Sequence, residues 1–560
     1  MIQNKLYIFF ILIIILFACA KQGYPPGGPV DKRPPYIIST EPKMDTTNVP
    51  VNTKIEIIFS EPVEHQSCEE SIFITPFPGE NIKYKWKRKK LTIQFSDELV
   101  VNRTYIITIG TGTKDRRNNP MKKYYSLAFS TGPELDIALI DGHIYGEAKV
   151  EGTQVWAYDL AENLEPDPSK HFPLYITQAG DDGYYNLSHL AFGMYRLFAV
   201  QDRDVNNKYD PEFDLLGVAS KDISLTSSQI EAVGLNFQIA LRDTTPPMLR
   251  TATAIDQHHI DLRFSEKLLP DSLSNTNNYF IQNELDTLNI LEAYLDRQNP
   301  FLVHLMTDKH IADTTYYVHV KNANDLVGFQ LEPDTISVNF NGSGVPDTLK
   351  PKFLTMEPPD SANNVPLDPD IHLLFSEIMD KKSIEKSLTI ADTLDHIVKG
   401  NIEWQNGAHL TFLPEEDLNG ETLYLIKLPV DSVYDFFGNP LADTLFEKRI
   451  LTVNPDTLSE ISGSIRDADS MAGGEFHLKA VPVKGPPYEI WVEKEGEYVF
   501  KDILPGIYTI RVFRDSDSSN NYSYGEAYPY KPAERFYVYP DSIKIRSRWP
   551  DEGENIVLPQ

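Results

Sequence analysis

The sequence predicts an all-β chain, a string of about five antiparallel β-sandwiches. Three observations carry this. From Ile37 onward, short strands of alternating apolar and polar residues are separated by turn residues. An apolar strand ending in Phe-Ser-Glu occurs three times, at Ile55–Glu61, Ile260–Glu266 and Ile371–Glu377. The stretch Asp182–Asp210 recurs as Glu495–Ser523 without a gap, at an offset of 313 residues. Composition agrees: 40 Pro, 30 Gly, 29 Tyr and 28 Phe favour turns and strands, and 560 residues are too many for one core.

The N-terminus reads as an address. Lys5 precedes the apolar run Leu6–Phe17, which is too short to span a bilayer as a helix but suits a signal-peptide core. The run ends in Leu16-Phe17-Ala18-Cys19, which resembles the bacterial lipobox. That resemblance implies cleavage after a signal peptide at 1–18 and lipidation of Cys19, hence anchoring in a membrane through acyl chains. Residues 19–36 are dense in Pro and Gly and read as an extended tether. Its Cys-Ala start, its Pro-x-Gly-Gly-Pro-x-Asp run and its Pro-Pro pair resemble the opening of Bacteroidota lipoproteins that carry bacterial Ig-like domains. Cys19 and Cys68 are the two cysteines, so no disulfide framework is expected.

The three Phe-Ser-Glu copies share their surroundings. A Pro-rich lead precedes each: Glu41-Pro42, Pro246-Pro247 and Glu357-Pro358. A Tyr-bearing strand follows at Thr104–Ile107, Thr315–Val318 and Thr422–Leu425, then a turn opening at Asp115, Asn324 or Tyr434, then a closing strand. This order resembles the S-layer-type bacterial Ig-like domain over 37–132, 243–342 and 348–453. The Glu of the phrase invites a catalytic reading, but glycosidase chemistry needs two carboxylates across a pocket, and a repeated phrase points to a strand-end role. No Ser/His/Asp order, P-loop, HExxH or Cys/His metal spacing occurs, so no enzyme is expected. His258 and His259, a lone pair on the approach to a strand, read as surface residues.

Residues 134–241 and 455–560 hold the two copies of the longer repeat. Each opens on a Gly-bearing strand (Gly142, Gly463) and continues through Gly-x-Tyr to a turn at Gly193 or Gly506 and a Tyr-bearing strand. The pattern resembles the transthyretin-like or carboxypeptidase-regulatory sandwich. In the first copy Asp202, Asp204, Asn206 and Asp210 stand at the first, third, fifth and ninth places of an EF-hand-style loop, with Asp214 just beyond the usual last ligand. Oxygen donors spaced so can converge on a hard cation, which makes Ca²⁺ at 202–214 the cofactor to consider and no other. Asn207 stands where a glycine eases such a turn, and Phe213 where a bidentate Glu closes it. In the second copy Asp515 and Asp517 remain, while Ser519 and Ser523 replace outer donors. An acidic hairpin tip using Asp and Asn for turn chemistry fits the same residues.

A tripeptide of Asp, Thr and a small or aliphatic residue places Thr46, Thr287, Thr335, Thr348, Thr393, Thr444 and Thr457 in a setting that resembles the O-glycosylation acceptor of Bacteroidota. Strand entry after a turn would use the same residues. The net charge of −29 excludes a nucleic-acid partner, because no basic stripe is present to meet phosphates. The expectation is a non-catalytic, outer-membrane-anchored envelope lipoprotein, periplasmic or surface-facing. It would act as a structural, adhesive or protein-interaction scaffold on an envelope protein or glycan partner. The alternative is a carbohydrate-binding accessory of a polysaccharide-uptake system. Trp86, Trp156, Trp404, Trp491 and Trp549 would be its candidate stacking residues, although Trp86 and Trp404 recur at matching places and read as core.

Overall fold

A computed structural model of the chain describes residues 32–76, 78, 81–147, 149–204, 206–331, 338–443 and 446–559. The signal peptide, Cys19, most of the tether, Thr335 and Thr444 lie outside these residues. The protein is nearly all β and forms two compact units. One runs to Ala240 and includes Tyr524–Ala533; the other comprises Leu241–Ser523 and Glu534–Gln560. No helix among the described residues is long and apolar enough to cross a membrane.

In the first unit, one sandwich sets the antiparallel sheet Ile37–Glu41, Lys54–Phe59, Lys90–Phe95, Ile82–Lys87 against Ile72–Thr75, Thr104–Ile109, Tyr125–Ser130. The strand Lys54–Phe59 shows why its residues build a sandwich. Ile55, Ile57 and Phe59 are fully buried while the residues between them are not. Each such side chain contributes about 1.5–3 kcal/mol on leaving water. Leu91, Ile93, Ile107 and Phe129 complete that core, together with the free, buried Cys68.

The other sandwich of this unit pairs Tyr175–Gln178, Gln154–Asp159, Gly193–Gln201 and Leu215–Val218 in one sheet. The second sheet centres on Ala138–Tyr145. Tyr195, Leu197 and Ala199 face the core, but Arg196, Phe198 and Val200 on the opposite face are buried too. Arg196 forms a two-pronged ion pair with Asp222 at 2.8 Å and lies 3.7 Å from the ring centre of Tyr530, from the segment Tyr524–Ala533 of the same unit. Sequence alternation marks two faces, and here loops cover the second.

The second unit holds three sandwiches of the same kind. The strands Leu249–Ala254, His259–Phe264, Leu302–Thr307, Ile290–Leu295 face a sheet containing Tyr279–Gln282, Thr315–Val320 and Val338–Asn341. Phe353–Glu357, Ile371–Phe375, His409–Pro414 and Gly400–Asn406 face Ala362–Val365, Phe446–Thr452, Leu423–Leu428 and Thr389–Asp392. The last sandwich repeats the second: Tyr488–Val492, Glu475–Pro482, Gly506–Asp515 and Phe536–Val538 form one sheet, and Ser459–Asp467 centres the other.

The repeated phrases go into the frame. In each Phe-Ser-Glu copy the Phe is core and the Ser pins the lead segment. Ser60 Oγ accepts the amide of Tyr36 at 3.0 Å, Ser265 Oγ that of Met248 at 2.9 Å, and Ser376 Oγ that of Lys352 at 2.9 Å. The recurring tyrosines latch the loop before their strand. Tyr105, Tyr316 and Tyr424 accept the amides of Val100, Ile311 and Asn419 on their hydroxyls at 2.9–3.0 Å.

The Gly-bearing strands depart from a purely antiparallel plan. Ala138–Tyr145 takes Glu231–Ala232 and Phe237–Gln238 as parallel partners, and Ser459–Asp467 takes Asp551–Glu552 and Ile556–Leu558. The returning chain passes directly over Gly142 and Gly463. Tyr185 Oη donates to the Leu235 carbonyl at 2.6 Å, and Tyr498 Oη to the Glu554 carbonyl at 2.6 Å. The same lock thus closes both copies.

Candidate cation-binding loops

The loop after Gly193–Gln201 folds around its first aspartate. Asp202 Oδ1 accepts the amide of Asn206 at 3.2 Å and Oδ2 that of Asn207 at 2.7 Å, which curls the chain tightly. Asn207 takes the left-handed conformation, φ 56°, that such a curl requires and that Asn tolerates. Asp214, 1% exposed, closes the loop from the other side, accepting the amides of Arg203 at 3.0 Å and Asp210 at 2.9 Å. Carboxylate oxygens of Asp202, Asp204 and Asp214 lie within 4.8 Å of one another.

The five residues that the sequence marks do not all converge. Asp204 stays in the cluster and accepts from the Asn206 amide group at 2.8 Å. Asp210 turns to the amide of Glu212 at 3.1 Å and contributes its backbone rather than a carboxylate to the cluster. Phe213 is 60% exposed and plays no part in closure, which falls to Asp214.

The second copy holds what the sequence hides. Asp515 Oδ1 and Oδ2 accept the amides of Ser519 at 3.1 Å and Asn520 at 2.9 Å, matching Asp202, and Asn520 has φ 60°. The place of Asp214 is taken by Glu534, 5% exposed, whose carboxylate accepts the amides of Ser516 at 2.6 Å and Ser523 at 3.0 Å. These are the residues aligned with Arg203 and Asp210. Asp515, Asp517 and Glu534 again bring oxygens within 4.8 Å. The apparent erosion is therefore corrected: Tyr524–Ala533 intervenes before the closing acid, so a gapless alignment misses Glu534. The signal available was its acidic character alone.

Three carboxylates this close repel unless a proton or a cation joins them. Burial lifts the Asp202 carboxyl to about 6, with Asp204 and Asp214 pushing the same way against the amides of Asn207 and Asn206. Burial likewise raises Glu534, whereas the Ser523 hydroxyl lowers Asp517. Donors made only of oxygen suit a hard cation such as Ca²⁺ over zinc or copper.

The sign of the pH effect follows. Asp202 binds its proton more tightly folded than unfolded, so its contribution to stability is full below about 4 and is lost as pH rises through about 6. In chelator, raising pH from 4 to 7 is expected to cost about 1–2 kcal/mol at this site, after allowance for its partial exposure. Asp202→Asn should flatten that slope. Urea midpoints at pH 4, 5.5 and 7 check it, and equal slopes in variant and parent would refute it.

The remaining marked residues divide by exposure. Thr287, Thr348 and Thr393 are exposed. Thr46 and Thr457 are half-buried, their hydroxyls donating to the carbonyls of Lys43 at 2.8 Å and Asn454 at 2.7 Å. The Trp86 and Trp404 indoles donate to Glu69 and Glu385 and pack on their cores. Trp156 is fully buried, Trp491 stacks on His477, and Trp549 is 72% exposed. His259 is not a surface residue: Asp256 grips its Nδ1 at 2.7 Å, and Phe437 packs edge-on against its ring.

Among solved structures, the N-terminal part of the bacterial S-layer protein SbsC is similar over 37% of this chain and 44% of that one, at 12% identity and a TM-score of 0.17. An L,D-transpeptidase from Mycobacterium smegmatis is similar over 29% of this chain and 79% of its own, at 15% identity and a TM-score of 0.16. The alpha-2-macroglobulin of E. coli is similar over 91% of this chain and 34% of its own, at 10% identity and a TM-score of 0.14. At such scores the likeness carries no argument about fold or activity. No curated protein matches the chain. The family finding is confined to two segments: residues 31–131 and 347–447 match the model of the bacterial Ig-like domain.

Proposed function

We propose that the chain is a non-catalytic lipoprotein of the cell envelope, of the Bacteroidota kind, anchored in the outer membrane through Cys19. Its sandwiches serve as a structural, adhesive or protein-interaction scaffold. The observation that carries this reading is the use made of the repeated residues. The Phe and Ser of each Phe-Ser-Glu phrase, the latching tyrosines and the recurring tryptophans all build sandwiches, two of which match a bacterial Ig-like family. In this reading the acidic loops at Asp202 and Asp515 take Ca²⁺ as a local stiffener, which relieves their repulsion at neutral pH.

Anchoring by more than one acyl chain gives stable retention, at about 0.8 kcal/mol per buried CH₂. Cys19→Ala should therefore release the protein from the membrane fraction and abolish incorporation of labelled palmitate. A variant that still sediments with membranes and still carries label would refute the anchor. Proteolysis of intact cells then distinguishes a surface-facing from a periplasmic chain.

The exposed threonines fit the glycosylation reading better than the bonded ones. Sugars are expected on Thr287, Thr348 and Thr393, with Thr46 and Thr457 modified less. Mass spectrometry of the native protein checks this, and unmodified peptides at the three exposed sites would remove the idea.

A further inference from the structure

Glu266, the last residue of the second Phe-Ser-Glu phrase, sits where Ser265 docks the incoming lead segment. That segment carries Asp243, and the turn after the Tyr-bearing strand carries Asp325. Oxygens of Asp243, Glu266 and Asp325 lie within 4.8 Å of one another. Asp325 is 1% exposed. Its Oδ1 accepts the amides of Val327, Gly328 and Phe329 at 2.6–2.9 Å. Its Oδ2 is fully buried and has no hydrogen-bond partner. That oxygen is thus out of reach of both water and donors. An unbonded buried carboxylate oxygen is costly, and two further acids beside it raise the cost.

The next sandwich repeats the arrangement. Asp347 in the lead, Glu377 of the third phrase and Asp435 of the matching turn bring oxygens within 4.8 Å. Asp435, 2% exposed, is held by the amides of Phe437 and Asn439 and by the Asn439 side chain. Here the buried oxygen without a donor is Asp347 Oδ2. In the first sandwich Glu61 and Asp115 stand at these places, and the corresponding lead residue, Asp31, lies outside the described residues.

We propose that Asp243–Glu266–Asp325 and Asp347–Glu377–Asp435 are two hard divalent-cation sites, Ca²⁺ by their donor chemistry, that fasten each sandwich to the segment leading into it. Ca²⁺ takes oxygens at 2.3–2.6 Å, so donors on opposite sides of one ion stand about 5 Å apart, close to the span found here. The donors of each trio are carboxylates, with no sulfur, although a His259 nitrogen also stands within 4.8 Å of an Asp347 oxygen. Each site joins a lead aspartate to two acids of the sandwich body, so the bound ion immobilises the joint. The inference is independent of the loops at Asp202 and Asp515.

The test uses the full chain with both loops silenced by Asp202→Asn and Asp515→Asn. Equilibrium dialysis against ⁴⁵Ca²⁺ should find two ions per chain in that background. Glu266→Gln should remove one and Glu377→Gln the other, each losing at least tenfold in affinity. A background chain that takes up no Ca²⁺, or Gln variants that bind as the background does, would overturn the proposal. Thermal unfolding in chelator and in Ca²⁺ guards against misfolding. The Gln variants should melt no lower than the background in chelator and should lose its Ca²⁺-induced rise. Retention of the full rise in both variants also overturns the proposal.

Discussion

Gly142→Val will strongly destabilise the second sandwich. A Cβ at Gly142 would lie 2.0 Å from the carbonyl oxygen of Leu235 and 2.6 Å from its carbon. Both are backbone atoms of the returning chain, held by the Tyr185 hydroxyl and by the Leu235 amide bonded to Asp141 at 2.9 Å. Neither can retreat without breaking the lock or the parallel pairing on either side. Overpacking ordinarily costs about 1–3 kcal/mol where side chains can shift, and here backbone must shift, so about 3 kcal/mol or more is expected. That is a large part of what a domain of this size has in reserve. Gly463→Val should do the same in the last sandwich, where Glu554 O lies 2.0 Å from the built Cβ. Urea unfolding followed by near-ultraviolet dichroism checks both; an unshifted midpoint for Gly142→Val would refute the argument.

Trp156→Ala should cost about 3–5 kcal/mol, the range for emptying a large buried aromatic site. Trp156 is 0% exposed, and its indole N–H donates to Gln154 Oε1 at 2.7 Å. Removing it leaves a cavity beside Phe198 and strips a buried amide side chain of its donor. Trp549→Ala, at a 72% exposed position, is the control and should lie within about 0.5 kcal/mol of the parent. Because a chain of several sandwiches does not unfold in one step, Trp156→Ala is read on the transition of the first unit and Trp549→Ala on that of the second. Equal effects of the two substitutions, each on its own unit's transition, would show that Trp156 is not the core residue its burial makes it.

The architecture was legible because its signals are local. Period-two burial along Lys54–Phe59, the three Phe-Ser-Glu strands and the shared Gly and Tyr positions follow from the pleat and from close backbone approach, both of which leave a mark on sequence. The candidate site was half legible. Asp202 and Asp204 announce themselves by spacing, and the left-handed Asn207 could be foreseen from its chemistry. Glu534 could not, since ten intervening residues carry it out of register with Asp214. Nor could the half-buried setting of His259, which depends on Asp256 and on Phe437, a residue far along the chain. Long-range partners leave no periodicity to read.

The parallel strands beside Gly142 and Gly463 also settle how these sandwiches carry tension. In the last one, Ile465, Arg466 and Asp467 of the opening strand pair with Ile556, Val557 and Leu558 near the chain end, running in the same direction. In the second, Ile144 and Tyr145 pair with Phe237 and Gln238 in the same sense. A pull on the two ends of such a sandwich drags the paired strands lengthwise past one another. The hydrogen bonds between them strain together instead of parting one by one, as they would in a hairpin peeled from its tip. Links that rupture in shear rather than by unzipping give a leash its tensile strength.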